Sequence, residues 1–202
     1  MRRSKYGYLL LASLVITGLA GTITSTSITA RERKVVVGYL KDTKIDVLKG
    51  IKALSNSQLN FKPSKDKCSI KQSIYHIAAS ERNLWELIQT TLKEPANPEK
   101  RREIKWMDED LVGAADNCSG EEHELNKNSF KTVEQALESF KATRAEHSKY
   151  MKATTEDLRN HVAYTSYGWL DCYQVCLLMS SYSKRYLEEI EEVKADPNFP
   201  SR

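Results

Sequence analysis

The chain has 202 residues, 29% of them charged, and a formal net charge of +4 at pH 7. That length and composition fit one ordinary globular domain. Three of the positive charges, on Arg2, Arg3 and Lys5, lie in the first 30 residues, which contain no Asp or Glu. Without them the net charge is +1 (4 − 3), so no basic excess indicates a nucleic acid partner.

The first 30 residues have the order of a secretory signal peptide. A positive start is followed by the apolar run YLLLASLVITGLA and then by small and hydroxyl residues. The apolar run is short for a membrane-spanning helix. We therefore predict an exported protein, periplasmic or extracellular, cleaved after Ala20 or Ala30. The alternative is an uncleaved N-terminal anchor, the one case in which a membrane would be involved.

Export would place the four cysteines in an oxidising compartment. Cys172 and Cys176 are four residues apart on a predicted helix, where we expect them to pack as small apolar groups rather than bond to each other. Cys68 and Cys118 lie in or beside loops and could form a disulfide. No CxxC pair is present, so a four-cysteine zinc site is not indicated.

Two helices are predicted in the first half of the domain. The first runs from Arg31 to Leu54, and a polar connection follows at residues 55–67. The second begins with a capping box, in which Ser69 and Gln72 satisfy each other's backbone N–H groups, and extends to about Lys93. The apolar positions of the first helix are Val36, Leu40, Ile45, Leu48 and Ile51.

Two polar side chains of the second helix lie where they could serve a site. His76 falls on a partly buried flank of small and polar residues, which leaves room for a ligand or water. Glu81 falls inside the apolar arc and needs a buried partner there.

A long polar connection, residues 95–130, separates the second helix from the third and argues against a simple up-down-up-down bundle. The third helix begins with a second predicted capping box at Thr132 and Gln135 and ends near Thr154. His147 and Arg144 lie on its inner face. A buried Arg requires an acid, and Glu81 or Glu189 are the candidates.

The last predicted helix, Trp169 to Ala195, should carry the site on its inner face. Tyr182 and Tyr186 lie one turn apart and could share one small site. No strand pattern, phosphate-binding loop, HExxH motif or GxSxG elbow is present. The inner face at 100° per residue consists of Cys172, Val175, Cys176, Met179, Tyr186, Ile190 and Val193, with Tyr182 at its flank.

Several segments together resemble the DinB-like (DinB/YfiT-type) four-helix bundle superfamily. LSNSQLNFKPSKDKCSIKQSIYHIAASE resembles the family's second-helix signature, with a His seven residues after the Ser. YQVCLLMSSYSKRYLEEIEEVKADPNFP resembles its last helix. The resemblance extends over roughly residues 31–200. It implies an all-α four-helix bundle domain at residues 31–202, with a long crossover between the second and third helices.

The resemblance also implies a metal site, and this sequence departs from it. In the family three histidines bind a divalent metal, usually zinc or nickel, and characterised relatives include thiol-dependent transferases and isomerases. The first ligand position is His76, but the second is Tyr182 and the third is Tyr186. A family Trp is replaced by Cys68, and a family Gln by Glu189. One imidazole is too few protein ligands for zinc.

From these residues we predict a non-catalytic, exported bundle protein with a degenerate metal site, which binds a small molecule or a protein and could form a homodimer. No cofactor is expected. The alternative is an active metal-dependent transferase or hydrolase that uses zinc or nickel, with His76 as a metal ligand. A third possibility is a purely structural envelope protein held by its leader. The predicted pocket residues are His76, Glu81, Arg144, His147, Tyr182, Tyr186 and Glu189.

Overall fold

The computed structural model describes residues 28–113 and 130–201. In these ranges the chain forms α-helices, a short 3₁₀ helix and one β-hairpin, and every helix is too short or too polar to cross a lipid bilayer. The predicted leader, residues 1–30, lies almost wholly outside these ranges. The elements are α1 (Ala30–Gly50), α2 (Asn56–Asn60), α3 (Ile70–Thr91), the 3₁₀ helix (Pro98–Glu103), α4 (Asp108–Gly113), α5 (Val133–Ala153), β1 (Val162–Thr165), β2 (Gly168–Asp171) and α6 (Cys172–Lys194).

Four long helices, α1, α3, α5 and α6, form the bundle. The start of α1 meets the end of α5, where Arg33 Nη1 donates to the Met151 carbonyl at 2.5 Å, so these two helices are antiparallel. The end of α1 meets the end of α6, where Lys194 Nζ donates to the Gly50 carbonyl at 3.1 Å, so these two are parallel.

The directions of α3 and α5 explain the long connection between them. Glu81 meets Arg144, and one turn further on Trp85 packs on Tyr150, so α3 and α5 run in parallel. The chain must therefore return along the bundle, roughly 30 Å for helices of this length, before α5 can begin. Because a tight turn cannot span that distance, the predicted crossover between the second and third helices is confirmed.

Helix α1 ends earlier than predicted. A capping box of Thr29 and Glu32 starts it, and it stops at Gly50 rather than Leu54. Ala53 has a φ of 58°, which a continuing helix does not allow. The predicted inner face was partly wrong: Ile45 is 38% exposed and Val47 is buried in its place. Val47 lies seven residues, or about two turns, after Leu40, so both side chains face the core from the same side of α1.

Of the two capping boxes predicted from the sequence, one is complete in the structure and the other is only partly formed. The capping box of Ser69 and Gln72 is present at the start of α3, as predicted. At α5 only half of the box forms. Thr132 accepts from the Gln135 N–H, but the Gln135 side chain accepts from the N–H of Lys131 instead of Thr132.

The β-hairpin before α6 was not predicted. Its strands pair antiparallel, from Val162 with Asp171 to Thr165 with Gly168, whose φ of +86° suits glycine at the turn. Strands of four residues are too short to show an alternating pattern. The last helix therefore starts at Cys172 rather than Trp169, with Asp171 and Gln174 as its capping box.

Helix α6 is the centre of the fold. Its predicted inner face is buried, and in its first half the other sides are buried too, including Tyr173, Leu177 and Leu178. Helices α1, α3 and α4 all pack against it. The amphipathic pattern underestimated this burial because the crossover helix α4 covers a face that a plain four-helix bundle leaves open.

One arginine holds together the end of the bundle where α1 and α6 begin. Arg159 makes ion pairs with Glu32 of α1, Asp108 of α4 and Asp171, the cap of α6. Burial raises the pKa of Asp171 to about 6, even though Arg159 acts to lower it. The cluster joins the crossover to both parallel helices and so fixes where α4 lies.

Candidate functional site

The three residues predicted at the family's ligand positions lie side by side in the structure. His76 is on α3, and Tyr182 and Tyr186 are one turn apart on α6; all three are nearly inaccessible, at 5%, 4% and 2% exposure. The His76 and Tyr186 rings are stacked, with centroids 5.4 Å apart and planes 13° apart. The Tyr186 and Tyr182 rings are also stacked, at 6.4 Å and 22°. The three rings form what we call the aromatic stack.

The β-hairpin and the crossover extend this stack. Tyr167, in the hairpin turn, meets the edge of Tyr182 with ring centroids 6.2 Å apart. Trp106, in the crossover, meets Tyr167 and donates from its indole Nε1 to the Tyr167 carbonyl at 3.0 Å. Aromatic pairs in these offset and edge geometries contribute beyond their buried area. The unpredicted hairpin thus packs against one end of the site.

The side chains at the family's metal positions fit a divalent metal poorly. A phenol has a pKa near 10 and must lose its proton to ligate well, whereas a neutral imidazole binds zinc at pH 7. Within residues 28–113 and 130–201, no three His, Cys, Asp or Glu side chains are grouped closely enough to hold a metal ion.

Glu189 and Cys68 lie at another opening, a cavity of about 300 Å³ that they line together with Arg185. Arg185 Nη2 donates to Glu189 Oε1 at 3.0 Å. Burial raises the pKa of the Cys68 thiol, and the charge of Glu189 adds to that effect. Glu189 is therefore paired within its own helix. The predicted disulfide of Cys68 depends on Cys118, which lies outside the described residues.

A second polar site, the ionic network, lies between α3 and α5. Arg144 Nη2 donates to Glu81 Oε2 at 2.5 Å, and His147 Nδ1 is 2.6 Å from Glu81 Oε1. All three side chains are at most 1% exposed. The structure thus selects Glu81, not Glu189, as the acid that compensates Arg144.

The remaining contacts of Arg144 hold the network in place. Its Nη1 donates to the Thr43 hydroxyl at 2.9 Å, and its Nη2 donates to the Ser183 hydroxyl at 2.8 Å. Burial acts to raise the pKa of Glu81, but the charge of Arg144 and the hydrogen bond from His147 outweigh it, so the pKa lies below its usual value. Glu81 is therefore a buried carboxylate with its charge compensated.

His147 is packed as well as hydrogen-bonded. The indole of Trp85 stacks on its ring, with centroids 4.2 Å apart. Neither His147 Nε2 nor Arg144 Nε finds a hydrogen-bond partner among the described residues, and both are buried. These are the polar atoms at which a small ligand or water could join the network.

The seven predicted pocket residues therefore occupy three places rather than one: the aromatic stack, the ionic network and the Arg185–Glu189 opening. His76 and Glu81 are five residues apart on α3, which turns them roughly 140° from each other at 100° per residue. The sequence missed Thr43, Trp85 and Ser183 as members of the network. Only Trp85 gave a signal, since it lies one turn after Glu81 on the apolar arc of α3.

The geometry defines a class of protein. It is a four-helix bundle whose first and last helices are parallel, with a long crossover and a candidate site between the second and last helices. A family model described as the DinB superfamily matches residues 40–183. The chain belongs to the DinB superfamily, and the resemblance found in the sequence is confirmed.

A solved structure has the same fold. YfiT from Bacillus subtilis, described as a probable metal-dependent hydrolase with an unusual four-helix bundle topology, matches with a TM-score of 0.59 and 15% sequence identity. The match covers 83% of this chain and 89% of YfiT. At this identity the likeness establishes the fold. Among curated proteins no relative matches.

Proposed function

We propose that this chain is a non-catalytic member of the DinB superfamily, exported from the cell, that binds a small molecule or a partner protein. One observation carries the proposal: two of the three positions predicted to hold the family's metal ligands are phenol rings, with Tyr186 stacked on His76 and Tyr182 stacked on Tyr186. Such a stack fills the space between α3 and α6 with apolar surface. The site keeps its place in the fold and lacks the donors that its chemistry needs.

A buried hydrolytic or transfer centre needs a metal or an activated nucleophile. Zinc in catalytic sites takes three protein ligands and keeps one position for water, and one imidazole does not supply them. The thiols of α6 offer no substitute, since burial raises the pKa of Cys172 to about 12 and that of Cys176 well above its usual value. Neither thiol is a nucleophile at neutral pH.

The alternative is a divalent-metal-dependent transferase or hydrolase. It is favoured by the description of YfiT as a probable metal-dependent hydrolase and by the retained His76. In that case Tyr182 and Tyr186 would have to ligate as phenolates. Such ligation is known with ferric iron and is demanding for zinc.

Export is part of the proposal and rests on the signal-peptide pattern of the first 30 residues. Two structural facts bear on the cleavage point. Ile28 is buried and Thr29 caps α1, so cleavage after Ala30 would remove both contacts. Replacing or losing such a cap costs about 1 kcal/mol. We therefore favour cleavage after Ala20, which mass spectrometry of the exported protein would read directly.

Metal content tests the main claim. The protein is purified without an affinity tag and dialysed against zinc, nickel, manganese and iron, and bound metal is measured together with that of a His76→Ala variant. We expect substoichiometric metal that the variant does not change. Near-stoichiometric metal that disappears in His76→Ala would reject the proposal in favour of the alternative.

A further inference from the structure

A separate groove of about 880 Å³ runs along the outside of the bundle between α1 and α6. On α6 it is lined by Ser180, Leu187 and Glu191. At 100° per residue these point roughly 140° away from Tyr182 and Tyr186. The groove therefore lies on the opposite face of α6 from the aromatic stack, and what binds there does not depend on the family's metal site.

The floor of the groove is apolar. The Tyr39 ring of α1 lies in it and remains 37% exposed, and Leu187 and Val112 complete the floor. At one end α1 and α6 come close together, since a Cβ added to Gly50 would lie 2.6 Å from Leu187 Cδ1. A groove of this size with an apolar lining is suited to a small organic molecule.

The rim of the groove is acidic. Only one lysine, Lys184, lines it. Its Nζ is 3.9 Å from Glu188, in an exposed pair that contributes little. The carboxylates that line the groove are those of Asp42, Asp46, Glu188, Glu191 and Glu192.

Two of these carboxylates pair with no cation in the part of the chain that the structure describes. Asp42 and Asp46 are four residues apart on α1, so they lie on the same side of the helix and repel each other. Among the described residues, neither makes an ion pair within 4.0 Å, whereas Glu191 and Glu192 pair with lysines. A cation bound in the groove would relieve that repulsion.

A buried hydroxyl faces the same groove. The Ser180 side chain lines it and is 1% exposed, and its Oγ has no hydrogen-bond partner among the residues described. The other buried serines of α6 with bonds in the structure, Ser181 and Ser183, donate to backbone carbonyls one turn back. An unsatisfied buried hydroxyl is costly, and a polar group of a ligand would satisfy it.

We propose that the groove between α1 and α6 binds a small amphiphilic organic cation. The apolar body of the ligand would lie on Tyr39 and Leu187, its protonated amine would lie between Asp42 and Asp46, and a polar atom would hydrogen-bond to Ser180. A second copy of the chain is a poorer occupant, because a symmetric interface would place two acidic rims against each other.

The test uses two fluorescent probes with the same dansyl group, dansylcadaverine with a free amine and dansylglycine with a carboxylate. Each is titrated with the purified protein, and dansyl emission reports transfer to an apolar site. We expect saturable binding of the cation that weakens several-fold between low and high salt, since exposed charges are screened. The anionic probe should bind at least tenfold more weakly.

Three variants locate the binding. Asp42→Asn/Asp46→Asn should weaken binding of the cation about three- to tenfold, as expected for two exposed charge contacts. Ser180→Ala should weaken it about two- to fivefold through the lost hydrogen bond, without destabilising the fold. Ala195→Lys adds an ammonium group at the rim and should also weaken binding; a Lys is tolerated there because a cation suits the end of a helix.

The matched control is Glu138→Gln/Glu146→Gln, which removes the same charge from exposed positions on α5, away from the groove. It should leave affinity unchanged. Equal binding of both probes would mean a merely apolar surface and would overturn the inference. So would an equal loss in the control and the Asp variant, absence of cation binding, or binding only of a basic peptide.

Discussion

The aromatic stack and the ionic network are both buried polar sites on α3, yet they differ in what the surrounding residues supply. In the network, Glu81 is matched by Arg144 and His147, each within 2.6 Å. In the stack, the His76 ring lies against the Tyr186 ring. The stack comprises the residues predicted as metal ligands, and the network lies elsewhere on α3 and α5. The compensated buried charges of this chain therefore lie away from the predicted ligand positions.

On the proposed account, a metal site is lost while the fold is kept. Stacked rings stand at the predicted ligand positions, and their apolar area stabilises the packing of α3 against α6. A charged network does not tolerate such replacement one residue at a time, since removing one partner leaves the other charged and buried. Three predictions measure this contrast.

The largest effect is expected in the network. Glu81→Ala leaves Arg144 buried without a counter-charge, and the free energy of unfolding should fall by about 3–5 kcal/mol. Urea unfolding followed by circular dichroism measures it. The double variant Glu81→Leu/Arg144→Met removes both charges and should recover most of the loss. A double variant as unstable as the single one would show that packing, not charge, is responsible.

In the stack, the buried ring of Tyr186 should contribute more stability than its hydroxyl. Tyr186→Ala removes a buried ring that contacts both His76 and Tyr182, and should cost about 3 kcal/mol. Tyr186→Phe keeps the ring and should cost less than about 1 kcal/mol. The same urea experiment compares them. If Tyr186→Phe were as damaging as Tyr186→Ala, the hydroxyl would be an essential polar contact and the stack would not be simply a packed core.

The smallest expected effect is a change in the pH dependence of stability. The pKa of Glu81 is lowered by folding. Its contribution is therefore present above the unfolded pKa of about 4.3 and is lost as pH falls through the lower folded value. The difference in unfolding free energy between wild type and Glu81→Gln should shrink as pH drops below about 5. Tyr186→Phe, as the control, should show no such change.

The contribution of Asp171 to stability changes with pH in the opposite direction to that of Glu81, so the two contributions must be separated. Its folded pKa is raised to about 6, so its contribution to stability increases as pH falls from about 6 toward 4. Because Asp171 is the same in wild type and in Glu81→Gln, its contribution cancels in their difference. A difference that stays constant down to pH 3 would contradict the compensated state of Glu81.

The sequence predicted the bundle well because its signals are local. The Ser69–Gln72 capping box joins residues only three apart, and the apolar pattern of α6 repeats every three or four residues. The β-hairpin was missed because its four-residue strands carry no periodic signal, and Asp171 then marks the true start of α6. Nothing local indicated that α4 would cover α6.

The candidate site was harder to predict because it depends on how helices rotate against one another. A buried Arg144 had to meet an acid, but whether that acid was Glu81 or Glu189 depends on which face of α3 or α6 meets α5. The one-turn spacing of Tyr182 and Tyr186 indicated that they share a face. The stacking of Tyr186 on His76 depends on the distance between α3 and α6, and a single sequence contains no measure of that distance.

Zinc binding by the double variant Tyr182→His/Tyr186→His tests the central claim most directly. It is compared with wild type and with Tyr182→Phe/Tyr186→Phe, which removes the same hydroxyls but supplies no ligand. Zinc affinity is measured by competition with a chromophoric chelator, and folding by circular dichroism. We predict one zinc per chain in the His variant and none in the other two proteins, because three imidazoles complete the ligand set. Stoichiometric zinc in wild type, lost in His76→Ala, would contradict the account. So would a folded His variant that binds no zinc.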